Sequence, residues 1–311
     1  MVFWYLFALH FTASKGHPLM KNLRDVLLIT IDNDAEARLI LMIATKAGMR
    51  VYRSAQRHGA TLDEETGIVE FAQTVDLPCI WTIEMPGEKT EAMLRSSGFD
   101  LTIIDHHTYG DLDRVHNAQG ARVPSSLEQF LQHAKITKTD LARLGFDPLL
   151  VYGIGIMDDR YVEGLRRAGY DKPMIESVLS YREELERQID PHYAERLSAA
   201  ELAWKNRQIH NGVIVYASDN QLSISRLVST IAIQHNVESK PSIIFCRGGK
   251  QLFVLNILTA QVERLNRAFP GRYTWTYGGG HCWGLNNEKS PKNLWVTIDS
   301  KDLVDLLTQA E

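Results

Sequence analysis

The sequence predicts a doubly wound α/β fold with a mainly parallel sheet, followed by a second, smaller α/β domain. Apolar segments that lack polar alternation are typical of strands buried on both faces of a parallel sheet, and residues 25–31 form one. A helical pattern over residues 35–44 follows it directly. Because the same succession of strand and helix recurs along the first half of the chain, the sequence indicates βαβ units.

Three later segments repeat the features of the first strand. They are residues 49–52, 79–83 and 101–104, and a helix is predicted between the last two at residues 88–95. Beyond the fourth strand the spacing of apolar residues becomes helical. The helices predicted there cover residues 125–133, 138–144 and 147–155, and a long helical region covers 173–208.

From Gly212 onwards the pattern returns to short apolar strands, which predicts a second domain. Its strands are predicted at residues 213–216, 241–245, 252–256 and 294–298, with a helix at 223–235. The predicted division is an N-terminal extension over 1–23, a first domain over 24–190, a helical linker over 191–209 and a C-terminal domain over 210–311. Met20 is an alternative start of the protein.

The amino-acid composition limits the kinds of substrate and the cellular setting that we expect for this protein. The 311 residues carry 34 Lys and Arg against 38 Asp and Glu, a formal net charge of −4. Proteins that coat long nucleic acids need a basic excess to displace counterions, so this balance favours a short or small substrate. The three cysteines form no metal-binding pattern, which fits the reducing cytoplasm. The apolar start of the chain is too short to span a membrane, and no membrane association is expected.

Carboxylates follow the predicted strands at the points where those strands end. Asp32, Glu84 and Asp105 occupy these positions, and open α/β sheets bind their ligands at this edge. The other residues of this constellation are Asp34, His106, His107, Asp158 and Asp159. Several carboxylates suit hard divalent cations, and imidazole among them shifts the preference towards Mn²⁺. The sequence therefore predicts a metal site that can act on a phosphoryl group.

The segment Ile-Ile-Asp-His-His that ends at His107 resembles the signature of the DHH phosphoesterase superfamily. This superfamily includes RecJ-type exonucleases, oligoribonucleases and small-nucleotide phosphatases. The first strand, which ends in Asp32-Asn-Asp34, resembles the corresponding motif of RecJ-type members. Glu84 stands where the second motif usually has Asp, so its carboxylate is one methylene further from the backbone.

The resemblance implies a set of metal ligands and catalytic groups. The implied ligands are Asp32, Asp34, Glu84, Asp105, His106 and Asp159, with Asp158 as the alternative to Asp159 in the fourth motif. These residues would hold one or two Mn²⁺, with Mg²⁺ or another divalent cation as alternatives. Asp105, His106 and His107 form the implied catalytic group, in which His107 orients or protonates a phosphoryl oxygen.

A second motif lies near the C-terminus. The segment Gly278-Gly279-Gly280-His281 resembles the GGGH motif of the DHH-associated C-terminal domain. Consecutive glycines allow the backbone N–H groups to cradle a phosphate or carboxylate, with His281 donating from the side. Arg247 and Arg272 are weaker candidates as phosphate or base partners, because a single arginine is more often a solvated surface charge.

The resemblance therefore implies hydrolysis of a phosphoester in a nucleotide or a short single-stranded oligonucleotide by metal-activated water. The alternative is a catalytically inactive DHH homologue that binds a nucleotide, a nucleic acid or a protein partner, and Glu84 motivates it. The sequence also allows a homodimer.

Overall fold

The computed structural model of the protein describes residues 22–56, 59–109, 112–219, 221–237, 239–277, 280–295 and 298–309. Two main sheets, each covered by helices, organise these residues. The alternative start at Met20 and nearly all of the extension predicted over residues 1–23 lie outside the described part of the chain.

The first sheet is parallel, and its described strands follow the spatial order β2-β1-β3-β4. These strands are β1 (Val26–Thr30), β2 (Arg50–Arg53), β3 (Cys79–Ile83) and β4 (Asp100–Ile104). The order reverses direction between β1 and β3, and such a switch point is where doubly wound sheets bind ligands. Ile83 pairs with Ile104, so the residues that follow β3 and β4 emerge side by side.

Helices cover both faces of this sheet, which confirms the predicted doubly wound fold. The described helices are α1 (Ala35–Lys46), α2 (Ile68–Val75), α3 (Glu88–Ser96), α4 (Ser126–His133), α5 (Lys138–Arg143), α6 (Pro148–Arg167) and α7 (Lys172–Ile189). Leu28 and Ile104 pack with α1, α4, α6 and α7 on one face. Leu27 and Ile29 pack with α2 and α3 on the other. A short hairpin, β5 (Thr108–Tyr109) and β6 (Leu112–Asp113), follows β4.

The second sheet is mixed, and its described strands follow the order β11-β12-β10-β9-β8-β7. They are β7 (Gln208–His210), β8 (Val213–Ala217), β9 (Ser242–Cys246), β10 (Gln251–Leu255), β11 (Thr274–Tyr277) and β12 (Cys282–Asn286). Only β8 and β9 pair in parallel among them. The helices α8 (Tyr193–Lys205) and α9 (Ser225–Gln234) pack on one face, and α10 (Thr259–Ala268) and α11 (Ser300–Thr308) on the other.

The strand predicted at 294–298 is wrong for its described residues. Leu294 ends a short 3-10 helix, and its carbonyl accepts a hydrogen bond from Arg272. The indole of Trp295 donates to the Ser290 carbonyl. Backbone carbonyl groups in this segment therefore accept hydrogen bonds from side chains instead of pairing with a neighbouring strand. The apolar residues of this segment predict a strand, and the sequence pattern does not reveal the side-chain hydrogen bonds that replace it.

The region predicted as a linker over 191–209 contains α8, which packs into the core of the second sheet. Tyr193, Ala200 and Ala203 are buried there against Ile214. The predicted division at 190 and 209 stays a prediction.

Helix α6 brings an acidic pair to the first sheet and then breaks. Asp147 caps its first turn, and Pro148 stands at the first helical position, where proline is favoured. The break is at Tyr161, whose backbone angles, φ 58° and ψ −161°, lie in a region that is nearly restricted to glycine. A search of the described helices for one long and apolar enough to cross a membrane finds no such helix.

Gly284 on β12 provides a test of the packing in the second sheet, because it lies opposite Trp275 of β11. A Cβ atom at Gly284 would lie 2.3 Å from the Trp275 ring. We expect Gly284→Ala to lower the free energy of unfolding by about 1–3 kcal/mol, the usual cost of overpacking, as measured by urea denaturation. Adding Trp275→Leu should restore part of that loss. If the double variant lost as much unfolding free energy as the sum of the two single variants, this contact between Gly284 and Trp275 would be contradicted.

Candidate metal centre

Side chains from two strand ends and from α6 meet at the carboxyl edge of the first sheet. Glu84 follows β3, His106 and His107 follow β4, and Asp158 lies on α6. One ligand atom from each of these four residues lies within 4.8 Å of all the others. Glu84 adopts a left-handed backbone with φ 51°, and backbone strain of this kind clusters at functional sites.

The His106 ring stands at the middle of the cluster. Its Nε2 lies 3.2 Å from Glu84 Oε1 and 3.2 Å from Asp158 Oδ2. Glu36 Oε2, on the first turn of α1, is 3.6 Å from the same nitrogen. The His106 side chain is only 5% exposed, so these contacts are screened little by water.

Several buried atoms around this ring have no hydrogen-bond partner among the described residues. They are Glu36 Oε2, Glu84 Oε1, Asp105 Oδ2 and His106 Nε2. A buried polar atom without a partner is costly and calls for an explanation such as an ion. Carboxylate oxygens and an imidazole nitrogen are ligands that divalent transition metals accept. The donor set therefore fits a divalent cation.

Burial, together with the repulsion of neighbouring acids, makes two carboxylates here poor anions. Burial, followed by the nearby Glu84 and Asp158, raises the pKa of Asp34 to about 7. Burial raises the pKa of Glu36 well above its ordinary value, and Asp158 and Glu84 add to that rise. Their ionised forms need a positive charge close by.

The same surroundings favour the charged forms of the two histidines. Burial alone would lower the pKa of His106, but the neighbouring carboxylates of Asp158, Asp159 and Glu84 raise it above its ordinary value. Burial likewise opposes the charged form of His107, but its hydrogen bond with Asp105 raises the pKa of His107 to about 9. The carboxylates thus attract positive charge, which either a ring proton or a metal can provide.

The Asp-His-His turn is held by hydrogen bonds around Asp105. Its Oδ1 accepts from the His107 backbone N–H at 3.0 Å and lies 3.1 Å from His107 Nδ1. The Tyr109 hydroxyl donates to the same oxygen at 3.3 Å. Gln129 donates to the Asp105 carbonyl. Asp105 therefore keeps its second oxygen, Oδ2, directed away from these bonds.

Asp32 and Asp34, the two acids after the first strand, have different partners. Asp32 Oδ2 makes ion pairs with Arg38 at 2.8 Å and with Arg53 at 2.9 Å, although its Oδ1 is buried without a partner among the described residues. Asp34 caps α1 by accepting a hydrogen bond from the Ala37 backbone N–H. The structure therefore leaves Asp32 and Asp34 outside the four-residue cluster, and their role as ligands stays a prediction.

The neighbouring acids of α6 face different partners. Asp158 belongs to the cluster, whereas both oxygens of Asp159 face arginines. Arg122 donates to Asp159 Oδ1 at 2.6 Å, and Arg160 Nε lies 3.1 Å from Oδ2. Asp159 Oδ1 is 3.9 Å from His106 Nδ1, on the side of the ring opposite Nε2. The geometry favours Asp158, the alternative of the sequence prediction, as the ligand.

The predicted substrate-binding residues that the structure describes lie in the second sheet unit. Gly278 and Gly279 fall outside the described residues. Gly280 adopts φ 86°, and His281 Nδ1 lies 3.0 Å from the Ile257 carbonyl. The Arg247 guanidinium pairs with Glu288 at 2.9 Å, and Arg272 is held by the Leu294 carbonyl. These contacts bring neither arginine to the metal cluster.

One charged residue near the cluster, Glu36, was missed as a site residue by sequence reasoning, and a second, Arg226, was considered as a phosphate partner but not selected. Glu36 continues the alternation of acids that begins at Asp32 and Asp34, and that spacing was the available signal. Burial of Arg226, on α9, opposes its charged form. The nearby acids Glu186, Asp34 and Asp158 outweigh this effect and raise the pKa of Arg226 above its ordinary value. Its sequence carried no signal that set it apart from Arg247 or Arg272, because only the tertiary structure turns α9 towards the first sheet.

Comparisons with known proteins find solved structures that are similar only at low identity and low TM-score. No family model matches the chain, and no curated protein matches its sequence. An exonuclease RecJ bound to manganese is 14% identical, covering 93% of this chain and 91% of its own, with a TM-score of 0.40. A pGpG-specific phosphodiesterase, PggH from Vibrio cholrae, is 8% identical, covering 90% and 96%, with a TM-score of 0.39. An uncharacterised protein from Helicobacter pylori G27 is 10% identical, covering 84% and 93%, with a TM-score of 0.25.

The exonuclease and the phosphodiesterase are both DHH-family proteins, the family that the sequence motifs resemble. Because all three TM-scores lie below 0.5, the chemistry proposed below rests on the side chains of this chain.

Proposed function

We propose that the protein is a divalent-metal-dependent phosphoesterase that hydrolyses a nucleotide or a short single-stranded oligonucleotide. The observation that carries the proposal is the convergence of Glu84, His106, His107 and Asp158 within 4.8 Å, with buried acceptor atoms that lack partners among the described residues. The slight acidic balance of the chain supports a short substrate over long nucleic acid.

Glu84, His106 and Asp158 would hold the cation, with Asp34 and Asp105 completing a second position if two ions bind. Mn²⁺ suits this mixture of imidazole and carboxylates, with Mg²⁺ as the alternative. The chemistry that a divalent cation supplies in such a site is polarisation of a phosphoryl oxygen and activation of a water molecule near neutral pH.

Asp159 acts in this proposal as a positioning residue. His106 turns Nε2 towards Glu84 and Asp158 and Nδ1 towards Asp159. A histidine that binds a metal through one nitrogen is commonly oriented by a carboxylate at the other. Arg122 and Arg160 hold the Asp159 carboxylate in place, so the orientation of the His106 ring depends on these two ion pairs as well.

His107 moves a proton at the outer side of the site. Its Nδ1–H donates to Asp105, which directs Nε2 away from that carboxylate. The side chain is 46% exposed, so a substrate can reach it. From this position His107 donates a proton to the leaving oxygen of the phosphoester, which is general acid catalysis.

Arg226 binds the phosphoryl group from the second sheet unit. Its positive charge is near enough to Asp34 and Asp158 to lower the pKa of both acids, and it pairs with Glu186 at 3.6 Å. A guanidinium can hold two phosphoryl oxygens at once. In this role Arg226 replaces Arg247 and Arg272, the arginines that the sequence prediction favoured.

A second candidate function is binding without turnover, as in an inactive DHH homologue. The ion pairs of Asp32 with Arg38 and Arg53 favour it, because they occupy a carboxylate that the resemblance assigns to the metal. Under this alternative the cleft binds a nucleotide, a nucleic acid or a protein partner without hydrolysis.

Metal-dependent turnover separates the two candidates. We expect the purified chain with Mn²⁺ to hydrolyse bis-p-nitrophenyl phosphate and a labelled dinucleotide, and Asp105→Ala to abolish both activities. The matched control is Asp113→Ala, whose exposed carboxylate pairs with His116 and should leave turnover within about twofold, because exposed ion pairs contribute little. Tight Mn²⁺ binding without turnover on any substrate would favour the second candidate, and absence of metal binding would remove the first.

Mn²⁺ affinity tests the roles of the acidic pair. We expect Asp159→Ala to weaken Mn²⁺ binding by roughly 10- to 100-fold, the usual cost of losing a residue that orients a ligand. Asp158→Ala should weaken it further, because it removes a ligand atom itself. Isothermal titration calorimetry measures both affinities, and circular dichroism checks that both variants fold. The reverse order of effects would return the ligand role to Asp159.

Kinetics test the choice of arginine. We expect Arg226→Gln to raise KM for a labelled dinucleotide by roughly 10- to 100-fold, because a charge-assisted hydrogen bond is worth about 1.5–3 kcal/mol. Arg247→Gln is the matched control and should leave KM unchanged, since its partner is Glu288. A rise in KM for Arg247→Gln alone would restore the sequence prediction.

A further inference from the structure

The short hairpin that follows β4 brings a tyrosine to the outer side of the metal centre. Tyr109 belongs to β5 and pairs with Leu112 of β6. Its hydroxyl donates to Asp105 Oδ1 at 3.3 Å, and its ring centroid lies 6.0 Å from that of His107. The Tyr109 side chain is only partly buried. A substrate at the metal centre can therefore reach the hydroxyl.

Three donors share one carboxylate oxygen of Asp105. Oδ1 accepts from the His107 backbone N–H at 3.0 Å and lies 3.1 Å from His107 Nδ1. Oδ2 has no hydrogen-bond partner among the described residues. Each oxygen of an ionised carboxylate offers about two lone-pair sites, so the two bonds from His107 already fill Oδ1. The Tyr109 hydroxyl is the third and most distant donor.

The bond from the Tyr109 hydroxyl is the weakest of the three. O–H···O hydrogen bonds are most often about 2.7–2.8 Å long, whereas this one is 3.3 Å long. A phenol stays protonated near neutral pH, so the hydroxyl remains a donor. Because its present bond is long and its acceptor is shared, turning the hydroxyl towards a better acceptor costs little.

The hairpin that carries this tyrosine is fixed at its base. Arg114 follows β6, and its Nη2 donates to both carboxylate oxygens of Glu91 on α3, at 2.9 and 2.8 Å. The Arg114 backbone N–H donates to the His107 carbonyl. The Glu91 side chain is only 9% exposed, so water screens this ion pair little. Helix α3 therefore holds the hairpin, and with it Tyr109, in place.

A phosphoryl oxygen is a better acceptor for this hydroxyl than Asp105 Oδ1. Both oxygens carry negative charge, but Oδ1 already accepts from His107. Donors that a protein fixes in advance stabilise most strongly the charge that develops in a transition state. The Tyr109 hydroxyl meets this condition, because it is held by an anchored hairpin and is bound only weakly to its present acceptor.

We propose that Tyr109 is a further catalytic residue, whose hydroxyl turns from Asp105 and donates a hydrogen bond to a nonbridging phosphoryl oxygen in the transition state. The inference rests on the proposed function. It gives the two outer residues different roles, since His107 protonates the leaving oxygen and Tyr109 stabilises charge on an oxygen that stays on phosphorus. Tyr109 keeps its proton throughout. Arg114 acts as a positioning residue for the hairpin.

The variant Tyr109→Phe tests this role, because it removes the hydroxyl and keeps the ring. Orthovanadate is the probe, since it resembles the transition state of phosphoryl transfer and its binding needs no turnover. We expect Tyr109→Phe to weaken orthovanadate binding to the Mn²⁺-loaded protein by roughly 10- to 100-fold, the usual effect of losing a hydrogen bond to a charged group. Isothermal titration calorimetry measures this affinity. The kcat for bis-p-nitrophenyl phosphate should fall by a similar factor while KM stays unchanged.

Mn²⁺ affinity separates a catalytic role of Tyr109 from a merely structural one. We expect Tyr109→Phe to bind Mn²⁺ as tightly as the wild-type protein. If the hydroxyl served only to hold Asp105 in place, the affinities for Mn²⁺ and for orthovanadate would fall together. Tyr170→Phe is the matched control, since its hydroxyl donates to the Leu149 carbonyl, and it should leave both affinities unchanged.

A double-variant cycle tests the part played by Arg114. Arg114→Lys keeps the positive charge but loses the planar guanidinium that holds Glu91. We expect it to weaken orthovanadate binding when Tyr109 is present and to have no further effect in Tyr109→Phe, because residues that act through one another are not additive. Circular dichroism checks that each variant folds. Fully additive losses would show that Arg114 does not act through Tyr109.

Equal orthovanadate affinity and equal kcat in Tyr109→Phe and the wild-type protein would overturn the proposal. Failure of orthovanadate to bind the Mn²⁺-loaded wild-type protein would overturn it as well. Turnover that Tyr109→Phe leaves unchanged would reject the role of Tyr109 and keep the phosphoesterase. Orthovanadate binding that depends on the Tyr109 hydroxyl, without turnover of any substrate, would support the contact with a phosphoryl oxygen and reject the phosphoesterase.

Discussion

Burial of several carboxylates around the His106 ring is the constraint on which the site depends. Glu36, Glu84 and Asp158 all approach Nε2 of this ring within 3.6 Å. Ionised groups of like sign in a dry environment repel one another strongly and lose their hydration. Such a cluster is stable only with positive charge at its centre, whether a proton on the imidazole or a metal ion. The same repulsion that destabilises the metal-free cluster would be relieved by a bound divalent cation.

The scaffold meets this constraint with guanidinium groups placed around the cluster. Arg38 and Arg53 pair with Asp32, while Arg122 and Arg160 pair with Asp159. These ion pairs hold the acids at the periphery and leave those nearest His106 without such partners. Arg226 arrives from the other sheet unit. Positively charged groups of both units therefore lie around the acids of the centre.

Helix α6 connects the metal centre to a mainly apolar cavity of about 240 Å³ beside it. Asp158 and Asp159 are adjacent in sequence, but successive residues of a helix point about 100° apart, so one faces the cluster and the other faces arginines. Two residues later the backbone leaves the helical region at Tyr161, whose side chain lines the cavity. The polar chemistry and the apolar cavity thus lie on consecutive parts of one element.

The sequence by itself determined the strands of the first sheet, its doubly wound class and the acids that follow its strands, because buried strands and their polar ends leave local patterns. The tertiary structure decided that Asp158 meets Nε2 of His106 while Asp159 lies on the Nδ1 side with its arginines, since both acids satisfy nearly the same spacing. It also decided that Glu36 and Arg226 approach the centre and that Arg247 pairs with Glu288 instead. These pairings depend on contacts between residues that are far apart in the chain. The local spacing of residues in the sequence does not encode such contacts.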